Sequence, residues 1–125
     1  MSEVIFTKNA PAAVGPYSQA IKVGNVVYCS GQIPLVPETG NLVEGDIKAQ
    51  ATQSLKNVKA VLTEAGADVT NVVKTTVYLA DMADFGAVNE VYADFFGDHK
   101  PARSCVAVKE LPKGAKVEVE VLVVL

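Results

Sequence analysis

From Lys116 to Val121 the chain alternates apolar and polar, with Val117, Val119, Val121 and then Val123 on one side and Glu118 and Glu120 on the other. That period of two predicts a strand with one apolar and one acidic face. Ala102–Val108 is a second, shorter β-type run, bounded by Pro101 and by Leu111-Pro112-Lys113-Gly114. Val72–Ala80 is β-branched and also strand-like. Near the start, Val4–Thr7 predicts a short strand, and Ala20–Val23 with Val26–Ser30 a hairpin turning on Gly24-Asn25. Pro34 to Gly45 is loop. Two segments switch to the helical period. Ile47–Ala65 carries Ile47, Ala51, Leu55, Val58, Leu62 and Ala65 on one stripe, with Asp46 as N-cap and Gly66 as stop. Met82–Phe96 carries Phe85, Val88, Tyr92, Phe95 and Phe96, between Asp81 and Gly97.

The order is β-β-β-α-β-α-β-β, and right-handed crossovers place both helices on one face of one sheet. Val72-Val73 and Val121–Leu125 are nonetheless apolar on both sides, the pattern of strands covered on both faces. Two helices cannot provide both covers. The second face therefore predicts a partner surface, most simply another copy of the chain in a closed ring.

Composition narrows the classes. The chain has 125 residues, enough for one domain spanning 1–125 with a real core. Half of its residues are hydrophobic and its mean hydropathy is +0.25, yet no apolar run approaches a membrane span. Its first residues lack a basic stretch followed by a long apolar one, so no signal peptide and a cytoplasmic location are expected. Cys29 and Cys105 are then expected as reduced thiols rather than a disulfide. A net charge of −3 argues against a nucleic-acid footprint.

The candidate chemistry gathers in the last quarter. Arg103 lies in a run expected to be buried, and a guanidinium there requires a carboxylate partner or an anionic ligand. Glu118 and Glu120 follow on the next strand. An ion pair inside the sheet or across subunits is one reading; a site for a small carboxylate substrate with a water activated nearby is the other. Cys105 has no histidine near it in sequence and reads as a small core residue. The single His99, in a loop, reads as solvent-facing, and with two scattered cysteines gives no metal spacing. Gly15-Pro16-Tyr17-Ser18 is a rigid turn presenting a tyrosine. Ser30-Gly31 ends a strand with a hydroxyl and a residue open to close approach. Asn89 shares a helical face with Phe85, Tyr92 and Phe96, and as a buried amide it should order a loop or pocket wall.

These segments together resemble one family. Gly15-Pro16-Tyr17-Ser18-Gln19-Ala20, Tyr28-Cys29-Ser30-Gly31-Gln32-Ile33-Pro34, Asp84-Phe85 with Val88-Asn89, Pro101–Val106, and Leu111–Gly114 with Val117–Glu120 are similar, in order, to the YjgF-type reactive intermediate deaminases, the RidA group of the Rid family. The resemblance covers essentially the whole chain. It implies an α+β, chorismate-mutase-like single domain, a mixed β-sheet with two helices on one face. It implies a homotrimer around a central sheet barrel, with sites between subunits and no cofactor or metal. The implied reaction is hydrolysis of 2-imino acids, released by pyridoxal-phosphate dehydratases, to 2-keto acids and ammonia. Arg103 then holds the substrate carboxylate and Glu118 positions or activates water. Tyr17, Ser30, Gly31, Asn89 and Cys105 match pocket positions, Cys105 through its backbone carbonyl. The sequence departs in having Ala107 where many relatives are acidic. Two other classes stay open, a trimeric module that binds a keto acid or amino acid without turnover and a chaperone-like interaction protein. A chorismate mutase would need more cationic groups than the chain gathers.

Overall fold

The computed structural model describes residues 1–125. Six strands form one mixed sheet: β1 (Ser2–Ile5), β2 (Ala20–Val23), β3 (Val26–Cys29), β4 (Val72–Leu79), β5 (Ala102–Ala107) and β6 (Val117–Val124). Two helices, α1 (Ile47–Glu64) and α2 (Phe85–Phe96), pack against it. The order across the sheet is β1-β2-β3-β6-β4-β5, and only β4 and β5 run parallel. The last strand thus inserts between the two strands that α1 connects, and α2 makes the β4–β5 crossover.

Local chemistry sets most boundaries. Asp46 caps α1, its carboxylate accepting from the Ala49 N–H at 3.0 Å. Gly66 and Gly97 take positive φ just past the two helices, as expected of stop residues. Asp81 accepts from the Ala83 N–H and so caps a 3-10 turn at Met82–Asp84; α2 itself starts only at Phe85. The first strand also differs from expectation, running Ser2–Ile5 rather than Val4–Thr7. The backbone of Thr7 is occupied by the Gln19 side chain instead of a neighbouring strand.

The core lies between the helices and one sheet face. Leu55, Val58, Val61 and Leu62 of α1 and Val88, Tyr92 and Phe96 of α2 meet Val77, Leu79, Val117, Val119, Val121 and Val123. Each large aliphatic side chain buried there contributes on the order of 1.5–3 kcal/mol. The Thr75 and Tyr92 hydroxyls bond at 2.7 Å, so neither polar group is stranded in this layer.

The other sheet face is bare in the single chain. Tyr28 and Val106 stand exposed on it. Val73 falls at a register shift between β4 and β6 and is 43 % exposed in the single chain, whereas Val72 is buried. The expectation that Arg103 sits in a buried strand is corrected too. Because β6 takes the place between β3 and β4, β5 has one neighbour and forms the sheet edge, exposed except at Cys105. No helix is long and apolar enough to cross a membrane.

Candidate active site in two halves

The sheet register decides which residues can meet. Arg103 lies beside Thr75, which lies beside Val121, and both neighbours are buried against the helices. Cys105, Val77 and Val119 form the next row on that side. Glu118 lies beside Tyr78 and Glu120 beside Thr76, on the opposite face. Glu118 and Glu120 therefore share a face, as the alternation predicts, but that face is not the one Arg103 occupies. With β4 also between β5 and β6, Arg103 forms no ion pair with either glutamate. The one ion pair in the chain is Lys48–Glu90, exposed, at 2.5 Å.

The first half-site surrounds Glu118. Gln32 exchanges backbone hydrogen bonds with Val119 at 2.8 and 3.1 Å, which sets Gly31 alongside Glu118. The approach is close enough that a Cβ on Gly31 would stand 2.0 Å from Glu118 Oε2, so no side chain fits there while Glu118 keeps its place. Ser30 Oγ donates to the Ser18 carbonyl at 2.7 Å and its N–H to the Gln19 carbonyl, tying the turn to the strand end. That turn presents Tyr17, whose hydroxyl accepts from the Val14 N–H at 3.4 Å. Tyr17, Ser30, Gly31 and Glu118 line one cleft of about 260 Å³, with Pro11, Ile33 and Pro112 among its apolar walls. Burial pushes the Glu118 carboxyl above the usual carboxylate range, and the Glu120 charge adds to the shift.

The second half-site is built on α2 and β5. Arg103 Nη1 donates to Asn89 Oδ1 at 2.7 Å, and the guanidinium carbon lies 4.8 Å from the Tyr92 ring centroid and 5.4 Å from that of Phe85. Two aromatic faces and a neutral amide orient the fork without neutralising it. Arg103 and Asn89 border a groove of about 310 Å³ with Tyr92, Phe96, His99 and Lys100. Asn89 is half-buried rather than buried, and it hydrogen-bonds Arg103 in the wall of that groove. His99 is corrected from solvent-facing to half-buried, with Nε2 2.6 Å from the Val72 carbonyl oxygen. Burial raises the Cys105 thiol, with nearby Arg103 acting in the opposite sense. A thiol raised this way is not an activated nucleophile. Cys29 is pushed up to about 12 by burial, with Glu120 adding to it, and both cysteines are free.

Tyr17, Ser30, Gly31 and Glu118 thus fall in the first half and Asn89 and Arg103 in the second, while Cys105 lies one row from Arg103 on β5 and borders neither cleft. Sequence reasoning missed Gln19 and Pro112 in the first and the Tyr92 and Phe85 rings beside Arg103 in the second. The helical spacing of Phe85, Asn89 and Tyr92 was the available signal for the last. No group of three or more His, Cys, Asp or Glu side chains is arranged to hold a metal.

The family described as Endoribonuclease L-PSP matches residues 7–125. The chain belongs to that family, the YjgF/RidA family. Within it, the chain is 56 % identical over 122 residues to a RutC family protein of Pyrococcus horikoshii, covering 98 % of this chain and 97 % of the relative. It is 52 % identical over 127 aligned residues to the Escherichia coli protein named 2-iminobutanoate/2-iminopropanoate deaminase, covering 99 % and 98 %. Among solved structures of the family, the YjgF gene product of E. coli superposes with a TM-score of 0.93 at 50 % identity, covering 98 % of each chain. E. coli TdcF with bound serine superposes at 0.94 and 45 % identity, also covering 98 % of each. These likenesses extend over the whole α+β, chorismate-mutase-like fold, two helices on a mixed six-stranded sheet.

Proposed function

We propose that this chain is a 2-iminobutanoate/2-iminopropanoate deaminase, a hydrolase that acts on the C=N bond of small 2-imino acids. Residues 1–125 serve as one Rid domain, three copies of which form a homotrimer in the cytoplasm. The observation that carries the reading is Arg103. Its fork is oriented by Asn89, Tyr92 and Phe85, has no carboxylate partner within the chain and borders an open groove, an arrangement that suits an anionic ligand. The register supports the rest. Arg103 and Glu118 occupy opposite faces of one sheet, so a ligand touching both must lie between two copies of the chain.

In this reading Arg103 binds the imino acid carboxylate, with the Cys105 carbonyl beside it. Glu118 takes a proton from a water as its oxygen adds to the imine carbon, and returns that proton to the nitrogen. In the resulting carbinolamine Glu118 takes the hydroxyl proton as the C=O bond forms and the C–N bond breaks, and passes it to the leaving nitrogen, so ammonia and the 2-keto acid depart with Glu118 deprotonated again. Gly31 lets the carboxylate of Glu118 sit against backbone, where burial keeps its proton affinity high enough to serve as a base. No covalent enzyme intermediate is needed, in keeping with a raised Cys105 thiol. Tyr17 and Ser30 shape the wall opposite.

The test generates the imine in place with threonine dehydratase and lets semicarbazide compete for it. Wild type should accelerate 2-ketobutanoate release. Arg103→Ala, checked for retained assembly, should abolish the acceleration, and Arg103→Lys should fall well short because a point charge cannot reproduce the fork. Glu118→Gln should still bind a 2-keto acid but lose about 10²-fold or more in turnover. Arg103→Ala working at the wild-type rate would overturn the assignment. A second reading, a binding module without turnover, draws on the relative whose structure holds serine. Saturable binding of a keto acid or serine with no acceleration by wild type would select it.

A further inference from the structure

The wall of the Glu118 cleft that precedes β2 has no regular secondary structure between Phe6 and Gln19, and Ala12–Tyr17 is exposed along its length. It is fastened from below by one side chain. Gln19 is 3 % exposed, and its carboxamide is spent entirely on this segment. Oε1 accepts from the Thr7 N–H at 2.8 Å. Nε2 faces three carbonyl oxygens, of Thr7 at 3.0 Å, Pro11 at 2.9 Å and Ala10 at 3.4 Å. Thr7 in turn holds Asn9, whose N–H donates to Thr7 Oγ1 at 3.1 Å. Pro11, Ala12, Val14 and Tyr17, the residues this clamp locates, then stand over Glu118.

We propose that Gln19 is a positioning residue: its buried carboxamide fixes the segment Thr7–Tyr17 as one wall of the Glu118 cleft and thereby sets the affinity of the site for its ligand. The kinetic part of the inference rests on the deaminase reading above; the structural part does not. A buried amide with all its hydrogen bonds made specifies one arrangement, and removing it leaves three carbonyls and one N–H to find other partners. They can do so only by letting the segment move into water. The substrate then meets a wall it must order on binding, which weakens binding while leaving Arg103 and Glu118 where they were.

Gln19→Leu and Gln19→Glu separate this from a merely structural role. The second keeps the Thr7 acceptor and loses the donors. In both, hydrogen exchange should speed up at the bonded N–H groups of Thr7, Asn9 and Val14 and stay slow in α1 and β4. KM for the imine should rise about tenfold with kcat changed less than about threefold, the signature of lost uniform binding. In the Gln19→Glu variant, protection corrected for intrinsic exchange should partly return as pH falls, because the protonated acid regains one donor. Asn71→Ala is the control. Asn71 makes comparable amide bonds, from the Asp68 N–H and to the Val124 carbonyl, at a place outside the cleft. It should lower the melting temperature with KM unchanged. Should Gln19→Leu fail to fold, Gln19→Glu and its pH response decide. If both Gln19 variants lose stability as Asn71→Ala does, with protection of Thr7–Val14 and KM unchanged, the inference is wrong. A wild type without imine hydrolysis would remove the KM reading only, and the exchange pattern would still decide the clamp.

Discussion

Glu118 holds its proton more tightly than a free carboxylate because it is half-buried against Gly31 and because Glu120 stands on the same face two residues on. As a base it works only when deprotonated, so activity should rise with pH through its titration, and a raised pKa places that acid limb at higher pH. Glu120→Gln removes the second cause and leaves the first. The acid limb of kcat/KM should therefore move to lower pH and remain above the ordinary carboxylate range; an unmoved limb would show that a different group controls it. At this scale the sequence was informative about identity and silent about company. Arg103, Glu118, Tyr17, Ser30 and Gly31 stand out by residue type and position in predicted strands and turns. That Asn89 serves Arg103, or that Gln19 clamps a segment up to 12 residues away, depends on where loops return, which no local pattern encodes.

The helices were the most legible elements, since a long stripe at a 3.6-residue period admits few alternatives and Asp46 and Gly66 mark the ends of α1. Asp46→Ala should cost about 1 kcal/mol, the usual loss for a cap, and leave imine hydrolysis unchanged, because the cap lies at the start of α1, away from both half-sites. Urea unfolding checks the first part; a loss of activity in the folded variant would mean that α1 reaches the site by a route not described above. The strands were legible as strands but not as neighbours. Period-two alternation says which side chains share a face of one strand and nothing about which strand lies beside it. For that reason an ion pair of Arg103 and Glu118 inside the sheet stayed open from the sequence of β5 and β6, whereas β4 separates them and the register turns them to opposite faces.

At the scale of the molecule, one sheet face carries the helices and the other leaves Tyr28, Val73 and Val106 in water. Exposed apolar side chains gathered on one face suit an interface, and in the proposed reading the split of the site between two faces gives that interface a function. The sequence made the bare face legible because Val121–Leu125 is apolar throughout; it did not show that Arg103 and Glu118, the proposed catalytic residues, are divided by the sheet. The central claim is therefore that each cleft takes Arg103 from one copy and Glu118 from another. Refolding Arg103→Ala and Glu118→Gln together tests it, after sedimentation has shown a particle of about three times the 13.1 kDa chain and hybrid species in the mixture. Each variant alone should be inactive. With half the copies intact at each position, about a quarter of the shared clefts combine both intact residues, so the mixture should recover about a quarter of wild-type imine hydrolysis. Hybrid trimers that stay as inactive as their parents, or a chain that sediments as a monomer at micromolar concentration, would contradict the account.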